Sequence, residues 1–400
     1  MRIGFISSYP PIECGIGTYT QYLNQALRRM GNETFVISQY GAQGHAVFPV
    51  FQHGATSFAG DVFNTSTRMT PDVVHIQHEY GLYGSQRGVE VIDLILRYRM
   101  AGLPVAVTLH TVYETLQPYE QLILKHMIDE CGAIIVHEEF QRETLLRYFG
   151  KMTNVRQKIH VIEHGVREIE PIPDAKRKLD LEGKKVILLC GYFRPSKGFH
   201  KIIDIFPEIC KEEPNAVLVV AGKTRNIEYD DYRRELFTKL NESPVADNIL
   251  ILRGQFPQHT FDTIIAAADV VALPYEVGGQ SGMMAQCFAQ GVPVVTSHLP
   301  AFERALERSG GGLMVESDDN DDDYRRLIVR LLRDDKLRAE LGSNIQNYID
   351  NEAGWNKIAR EHAKVYQSIV KTPYGKARYV YFPEPAGQSC PENHCPGGDF

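Results

Sequence analysis

Three segments of the chain place glycine, polar and basic residues where a short apolar run gives way to a helical pattern. The first is Pro10-Pro11-Ile12-Glu13-Cys14-Gly15-Ile16-Gly17-Thr18, after the apolar run Ile3–Ser7. Gly15 and Gly17 let the backbone approach a ligand closely. The helix that opens there offers free N–H groups and a positive dipole end to an anion. A dinucleotide fingerprint would also want glycine at position 20 and an acid after the second strand. Thr20 and Ser38-Gln39-Tyr40 stand there instead. The segment therefore reads as a phosphate or sugar contact, set against an ordinary strand-to-helix turn, and not as an NAD(P) site. The second segment, Gly191-Tyr192-Phe193-Arg194-Pro195-Ser196-Lys197-Gly198, supplies a planar fork of donors in Arg194 and a point charge in Lys197. Both suit a diphosphate.

The third segment runs from Leu273 through Glu276, Gly278, Gly279, Gln280, Ser281, Gly282 and Met283 to Gln286. Ser281 fits an N-cap, and the N–H groups after it, at Gly282 and Met283, would face an anion. Glu276, Gln280 and Gln286 suit the hydroxyls of a sugar or a ribose. A fourth feature is His110, directly after the apolar run Val105–Leu109. The carboxyl end of a central strand is where open α/β sheets bind ligands. His75, His78 and Glu79 cluster similarly, but neighbouring strand positions point to opposite faces, which argues against a metal triad. The acidic run 318–323 reads as a solvated loop before a helix. Cys390, His394 and Cys395 lack the second half of a zinc site. No metal and no cofactor are expected.

The elements that must position these residues alternate in type. Short β-branched runs at Ile3–Ser7, Thr34–Ser38, Val73–Gln77, Val105–Leu109, Ile134–His137 and His160–Ile162 read as buried parallel strands. Helical spacing lies between several of them, as at Tyr19–Met30, where Tyr22, Leu23, Ala26, Leu27 and Met30 share a face. A charged stretch, Asp174–Lys185, interrupts the rhythm as a linker or domain edge, and the alternation restarts at Val186. Two strand–helix blocks predict two Rossmann-like domains of parallel βαβ units facing each other across a cleft. From Asp321 the pattern is helical, ending in a helix over Trp355–Val370. The domains are expected at 1–170 and 171–350. A helix at 351–370 would pack back toward the first domain, followed by an extended tail at 371–400.

Composition agrees. The 400 residues are 43% apolar and 23% charged, enough for two cores and unlike a disordered chain. The net charge of −7 gives no global basic field, so nucleic acid is not an expected partner. Seven scattered cysteines suit a reducing compartment. The N-terminal apolar run stops at Pro10-Pro11, too short for a signal peptide or membrane span. These features point to a soluble cytoplasmic protein. Arg97 and Arg99 close the apolar Val91–Met100 stretch, a weak membrane-surface signal in an acidic chain.

The Gly15/Gly17 loop, strand-end His110, the His164-Gly165-Val166 segment, the Arg194/Lys197 loop and Gly291-Val292-Pro293-Val294-Val295 fall in the order found in family 4 of the retaining nucleotide-sugar glycosyltransferases, which the chain resembles over about residues 1–370. The resemblance implies a GT-B fold and an acceptor, a saccharide or other hydroxyl compound, bound mainly by the N-terminal domain. It implies a nucleotide diphosphate sugar, GDP-mannose or a UDP-sugar foremost, bound mainly by the C-terminal domain. It also implies retention of configuration and no metal. His110 would orient the sugar, and Arg194 and Lys197 would hold the diphosphate. The family's Glu-x7-Glu motif is altered. Counting back from Gly291, its second glutamate falls on Gln286 and its first on Gly278, with Glu276 two residues early. Gln280-Ser281-Gly282 resembles a branch with a Gln-Ser-Gly loop in that place. Two other functions fit the same architecture. A sugar-nucleotide epimerase would convert the donor without an acceptor, and a non-catalytic binding module would release no nucleotide diphosphate.

Overall fold

A computed structural model describes residues 1–12, 14–224, 229–254, 256–277, 282–317 and 321–370. Gln280, Ser281, residues 318–320 and the 371–400 tail with its Cys390/His394/Cys395 group lie outside the described residues. The first block runs β1 (Arg2–Ile6), α1 (Gly15–Arg29), β2 (Glu33–Gln39), β3 (Val47–Phe51), α2 (Phe58–Arg68), β4 (Val73–His78), α3 (Glu90–Met100), β5 (Val105–Leu109), α4 (Pro118–Glu130), β6 (Ala133–Val136), α5 (Glu139–Phe149), α6 (Val155–Lys158) and β7 (Ile159–Val161). The second runs β8 (Lys185–Tyr192), α7 (Phe199–Glu212), β9 (Ala216–Lys223), α8 (Asp230–Asn241), β10 (Ile249–Arg253), α9 (Gln258–Ala266), β11 (Val270–Leu273), α10 (Gly282–Ala289), β12 (Val294–Thr296), α11 (Pro300–Ser309) and β13 (Gly312–Met314). Then come α12 (Asp321–Arg333), α13 (Asp335–Tyr348) and α14 (Trp355–Ile369).

Among the described residues the strands form two separate parallel sheets. One has seven strands in the order β3-β2-β1-β4-β5-β6-β7, the other six in the order β10-β9-β8-β11-β12-β13. Both are doubly wound, with the order reversing beside β1 and beside β8. Those switch points put the loops after β1, β4, β8 and β11 at the ligand-binding ends of the sheets. This is the two-domain GT-B architecture.

Strand register aligns the side chains that matter most. Gln77 lies opposite Thr108, and Thr108 opposite Ile135. Side chains alternate with period two, so His75, Gln77, Thr108, His110 and His137 share one face, and His78 and Leu109 share the other. α14 covers the first face. Its Trp355, Ile358, Ala359, Ala363 and Tyr366 are buried in one cluster with Ile3, Phe5, Tyr19, Leu23 and Ala106. A Cβ on Gly165 would run into the Trp355 ring, so this position requires glycine for close packing. Val166 N–H donates to Ala353 O at 2.8 Å, tying the outgoing linker to the returning one. The Tyr348 hydroxyl donates to Glu163 Oε2 at 2.9 Å, and Arg308 pairs with both Glu163 and Glu352.

Some elements were not legible in the sequence. Helix α1 begins at Gly15, four residues before the apolar spacing becomes visible. β3 carries Pro49, which an edge strand tolerates. α2 contains Gly60, Asn64, Thr65 and Thr67, poor helix formers held by the burial of Phe58, Ala59 and Val62.

Candidate active site

The loop after β1 turns through a cis Pro10-Pro11 peptide into α1. Cys14 at the N-cap makes no side-chain cap bond, and no acid sits in the first turn. The first N–H groups of a 15-residue helix are thus left to solvent or to a ligand. The two glycines differ. A Cβ on Gly17 would crowd Tyr9 N at 3.2 Å and Ser8 O at 3.3 Å, so packing accounts for it. A Cβ on Gly15 would meet nothing within 4 Å, and the residue is exposed. Gly15 therefore faces open space, and packing does not require its glycine.

In the second domain the loops after β8 and β11 are joined. Gly198, at φ +62°, approaches Pro274 O so closely that a Cβ could not fit. Glu276 N–H donates to Ser196 O at 3.1 Å. Lys197 Nζ sits 3.5 Å from the centre of the Tyr275 ring, a cation–π contact. Burial and the Arg194 charge push the Lys197 ammonium down to about 7. Arg194 Nε is buried without a hydrogen-bond partner among the described residues. The Arg194 charge thus acts on the Lys197 ammonium, an arrangement that a diphosphate would relieve. Arg194 also faces the other domain. The Tyr113 phenol, in the loop after His110, is raised by burial and by Glu79 and Glu120, and lowered by the Arg194 charge.

The other predicted donor residues divide. Glu276 lies 3.4 Å from His200 Nε2 on α7. Met283 turns inward, its Sδ accepting from Cys190 Sγ at 3.2 Å, whereas Gly282 is exposed with open space around its Cα. Gln286 Oε1 is engaged, accepting from Arg167 Nη2 at 2.5 Å and Gln258 Nε2 at 3.3 Å, while Arg167 also forks onto Asp262. The oxygen of Gln286 is therefore committed within the protein.

His110 belongs to a buried network that sequence reasoning missed. Its Nε2 is 2.8 Å from Gln77 Oε1 and its Nδ1 3.4 Å from His137 Nε2. His137 Nδ1–H donates to Ile162 O at 2.9 Å. Tyr19 is the hub, its ring 5.1–5.2 Å from those of His110, His137, His164 and Trp355. Its hydroxyl lies 3.1 Å from His362 Nε2. Burial holds these imidazoles neutral: His137 falls to about 3 and His362 to about 4, and His110 lies well below its ordinary value; His78, buried on the opposite face of the sheet, falls to about 4. An unfolded histidine titrates near 6.5. Between that value and the folded ones the unfolded chain binds protons that the folded chain does not, so stability falls as pH drops from about 6.5 toward 4. Calorimetry from pH 7 to 4 is expected to show the melting temperature falling from near pH 6.5, above the carboxylate range. A flat profile to pH 5 would contradict the neutral cluster.

Among the described residues no group of three His, Cys, Asp or Glu side chains is placed to hold a metal ion, and no helix is long and apolar enough to cross a membrane.

Known proteins give the same architecture. Residues 14–168 match the family described as Glycosyltransferase Family 4, and residues 171–348 that described as Glycosyl transferases group 1. A putative glycosyltransferase YtcC of Bacillus subtilis is 23% identical over 274 residues, 65% of each chain. The phosphatidyl-myo-inositol mannosyltransferase of Mycolicibacterium smegmatis is 23% identical over 393 residues, 92% of this chain and 94% of that one. Among solved structures, Anabaena HepE in complex with UDP superposes with a TM-score of 0.73 at 15% identity, covering 92% of this chain and all of the other. The chain belongs to the family 4 glycosyltransferases of the GT-B fold.

Proposed function

We propose that the protein transfers a glycosyl unit from a nucleotide diphosphate sugar to an acceptor hydroxyl with retention of configuration. The observation that supports this reading is the Arg194/Lys197 loop at the strand end of the second sheet, whose Arg194 charge reaches Tyr113 in the loop after the strand-end His110 of the first. The departing diphosphate gains charge in the transition state. Arg194, Lys197 and the helix N-terminal amides are pre-placed to stabilise it, which is where electrostatic catalysis acts. Arg194, together with Lys197 once a bound diphosphate restores its charge, supplies the charge that a metal would otherwise bring, so the reaction is proposed to need none. Among the described residues no side chain stands out as an enzyme nucleophile, and the leaving phosphate is the proposed acceptor of the proton from the attacking hydroxyl. Closure of the two domains would exclude water, the competing acceptor.

GDP-mannose and UDP-sugars are the foremost proposed donors, in keeping with a relative named as a mannosyltransferase and a structural neighbour solved in complex with UDP. A thermal-shift panel of UDP, GDP, ADP and their sugars tests this. Ligand at about 100 times Kd stabilises the folded form by about 2.7 kcal/mol, several degrees in a protein of this size. One base is expected to stand out, and no shift from any nucleotide would contradict the transferase reading. Incubating that donor alone then separates the transferase, which releases nucleotide slowly to water, from an epimerase, which returns an isomeric donor.

A further inference from the structure

The seven-stranded sheet ends on β7, which among the described residues pairs with β6 alone. Ile162 N–H donates inward, to Val136 O at 2.8 Å, and Ile162 O accepts from His137. Successive residues of a strand send their main-chain groups to opposite sides, so the N–H and C=O of Val161 point to the outer edge. That edge is the floor of a groove of about 520 Å3, walled by α5 on one face of the sheet and by α14 on the other. Glu139 and Arg142 line the first wall, Glu361 and Lys364 the second, and each pair is an ion pair within its own helix. The walls are thus polar, while the floor offers the apolar side chains of Ile159 and Val161 and outward main-chain groups. An open strand edge is a template for one more strand.

The chain itself supplies the occupant. Helix α14 ends at Ile369, which lies so close to Gly132, just before β6, that a Cβ there would stand 3.2 Å from it. Ser368, one residue earlier, lines the groove. The chain therefore continues into residues 371–400 from the end of the groove where β7 begins. The stretch Lys371-Thr372-Pro373-Tyr374-Gly375-Lys376 has the proline and glycine of a turn and reaches up to about 20 Å when extended. Next comes Ala377-Arg378-Tyr379-Val380-Tyr381-Phe382, aromatic and β-branched in the manner of a strand and closed by Pro383. Lys371, Lys376 and Arg378 make this part basic in a chain of net charge −7, and each wall of the groove presents a glutamate.

We propose that residues 377–382 add to the free edge of β7 as a further parallel strand, so that the groove is the docking site of the protein's own C-terminal segment. Main-chain bonds to Val161 hold it, as in strand addition generally. The docked segment secures α14, the helix that brings His362 to Tyr19 and Tyr366 to His75 behind His110.

Hydrogen exchange of the full chain, read by mass spectrometry, tests this. In the double variant Tyr379→Pro/Val380→Pro the Val161 amide is expected to exchange about tenfold faster than in wild type, because successive prolines remove the donor in either strand register. Val161→Pro removes the docking donor from the other side. An edge strand tolerates this proline, since the lost N–H faces away from β6. Residues 377–382 should then lose protection by a similar factor while β6 keeps its own. Equal exchange at Val161 in wild type and the double variant overturns the proposal. Protection that fades on dilution also overturns it, by assigning the edge to a second copy of the chain. The double variant alters nothing within residues 1–370, so it decides the question even where Val161→Pro does not fold.

Discussion

Lys197→Ala is expected to lower turnover about 10²–10³-fold, the usual loss when one pre-placed group that stabilises transition-state charge is removed. The variant should fold, because Lys197 is only partly buried and Gly198, not Lys197, makes the tight approach to Pro274. Unchanged turnover would remove the diphosphate assignment. The depressed ammonium adds a signature that a structural lysine would lack. With its folded value near 7, Lys197 is partly neutral in the free protein at pH 7–8, because burial and Arg194 oppose the charge. A diphosphate reverses both effects and raises the value, so binding takes up a proton. Titration calorimetry at pH 8 in buffers of differing ionisation enthalpy is expected to report uptake approaching one proton. Affinity should weaken as pH rises above about 7, up to tenfold per unit. Lys197→Arg, charged at every accessible pH, should abolish both the uptake and the pH slope. If the wild type takes up no proton, Lys197 does not touch the phosphates.

What could be read from the sequence follows from the range of the interactions concerned. The parallel strands were legible because both faces of their sheets are covered, so Val105–Leu109 and Val270–Leu273 are apolar without a break. The Gly15, His110 and Lys197 segments could be singled out because each lies between such a run and the following helix, at the end of a sheet where open α/β folds bind ligands. Their partners were not. Gln77 meets His110 across 33 positions, Tyr19 meets His362 across 343, and Tyr366 meets His75 across 291. No local period reports such contacts. His137 looked like the end of a strand and nothing more, and Tyr19 like one apolar position on a helix. Gln286 was legible as a polar residue in a loop-proximal helix, but the Arg167–Asp262 pair that takes its oxygen comes from the linker and from α9. Trp355 had no visible purpose until Gly165 was seen beneath it.

The proton count around His110 leads to the second large effect. Ile162 O can only accept, so His137 carries its proton on Nδ1 and presents a lone pair at Nε2. The contact from His110 Nδ1 to that lone pair needs a proton on Nδ1, which in a neutral ring leaves His110 Nε2 as an acceptor. An amide oxygen at 2.8 Å cannot serve it. Either His110 is a cation or the Gln77 amide is turned to present its NH2. Burial and the neighbouring imidazoles push His110 far below its ordinary value, so the neutral ring with a turned amide is the form at physiological pH. The same turn aims the Gln77 oxygen at His75, whose Nδ1 lies 2.7 Å from the Tyr366 hydroxyl and whose Nε2 lies 2.7 Å from Thr108 Oγ1. Every member then has a partner without a buried charge. With both ring nitrogens engaged, this rigid neutral ring is proposed to orient the donor sugar by packing against it, not by a hydrogen bond. His110→Ala is expected to lower kcat about 10²-fold, in the range for a reacting group shifted by about 1 Å, while the nucleotide Kd changes less than about threefold. Equal losses in both would make His110 a support for binding. Gln77→Glu tests the tautomer directly, since a carboxylate at 2.8 Å favours the imidazolium and flips the proton order along the chain. That variant is expected to lose kcat and to acquire an ionisation between about pH 6 and 8 in its rate profile, one that wild type lacks. A profile identical to wild type would mean that Gln77 does not set the state of His110.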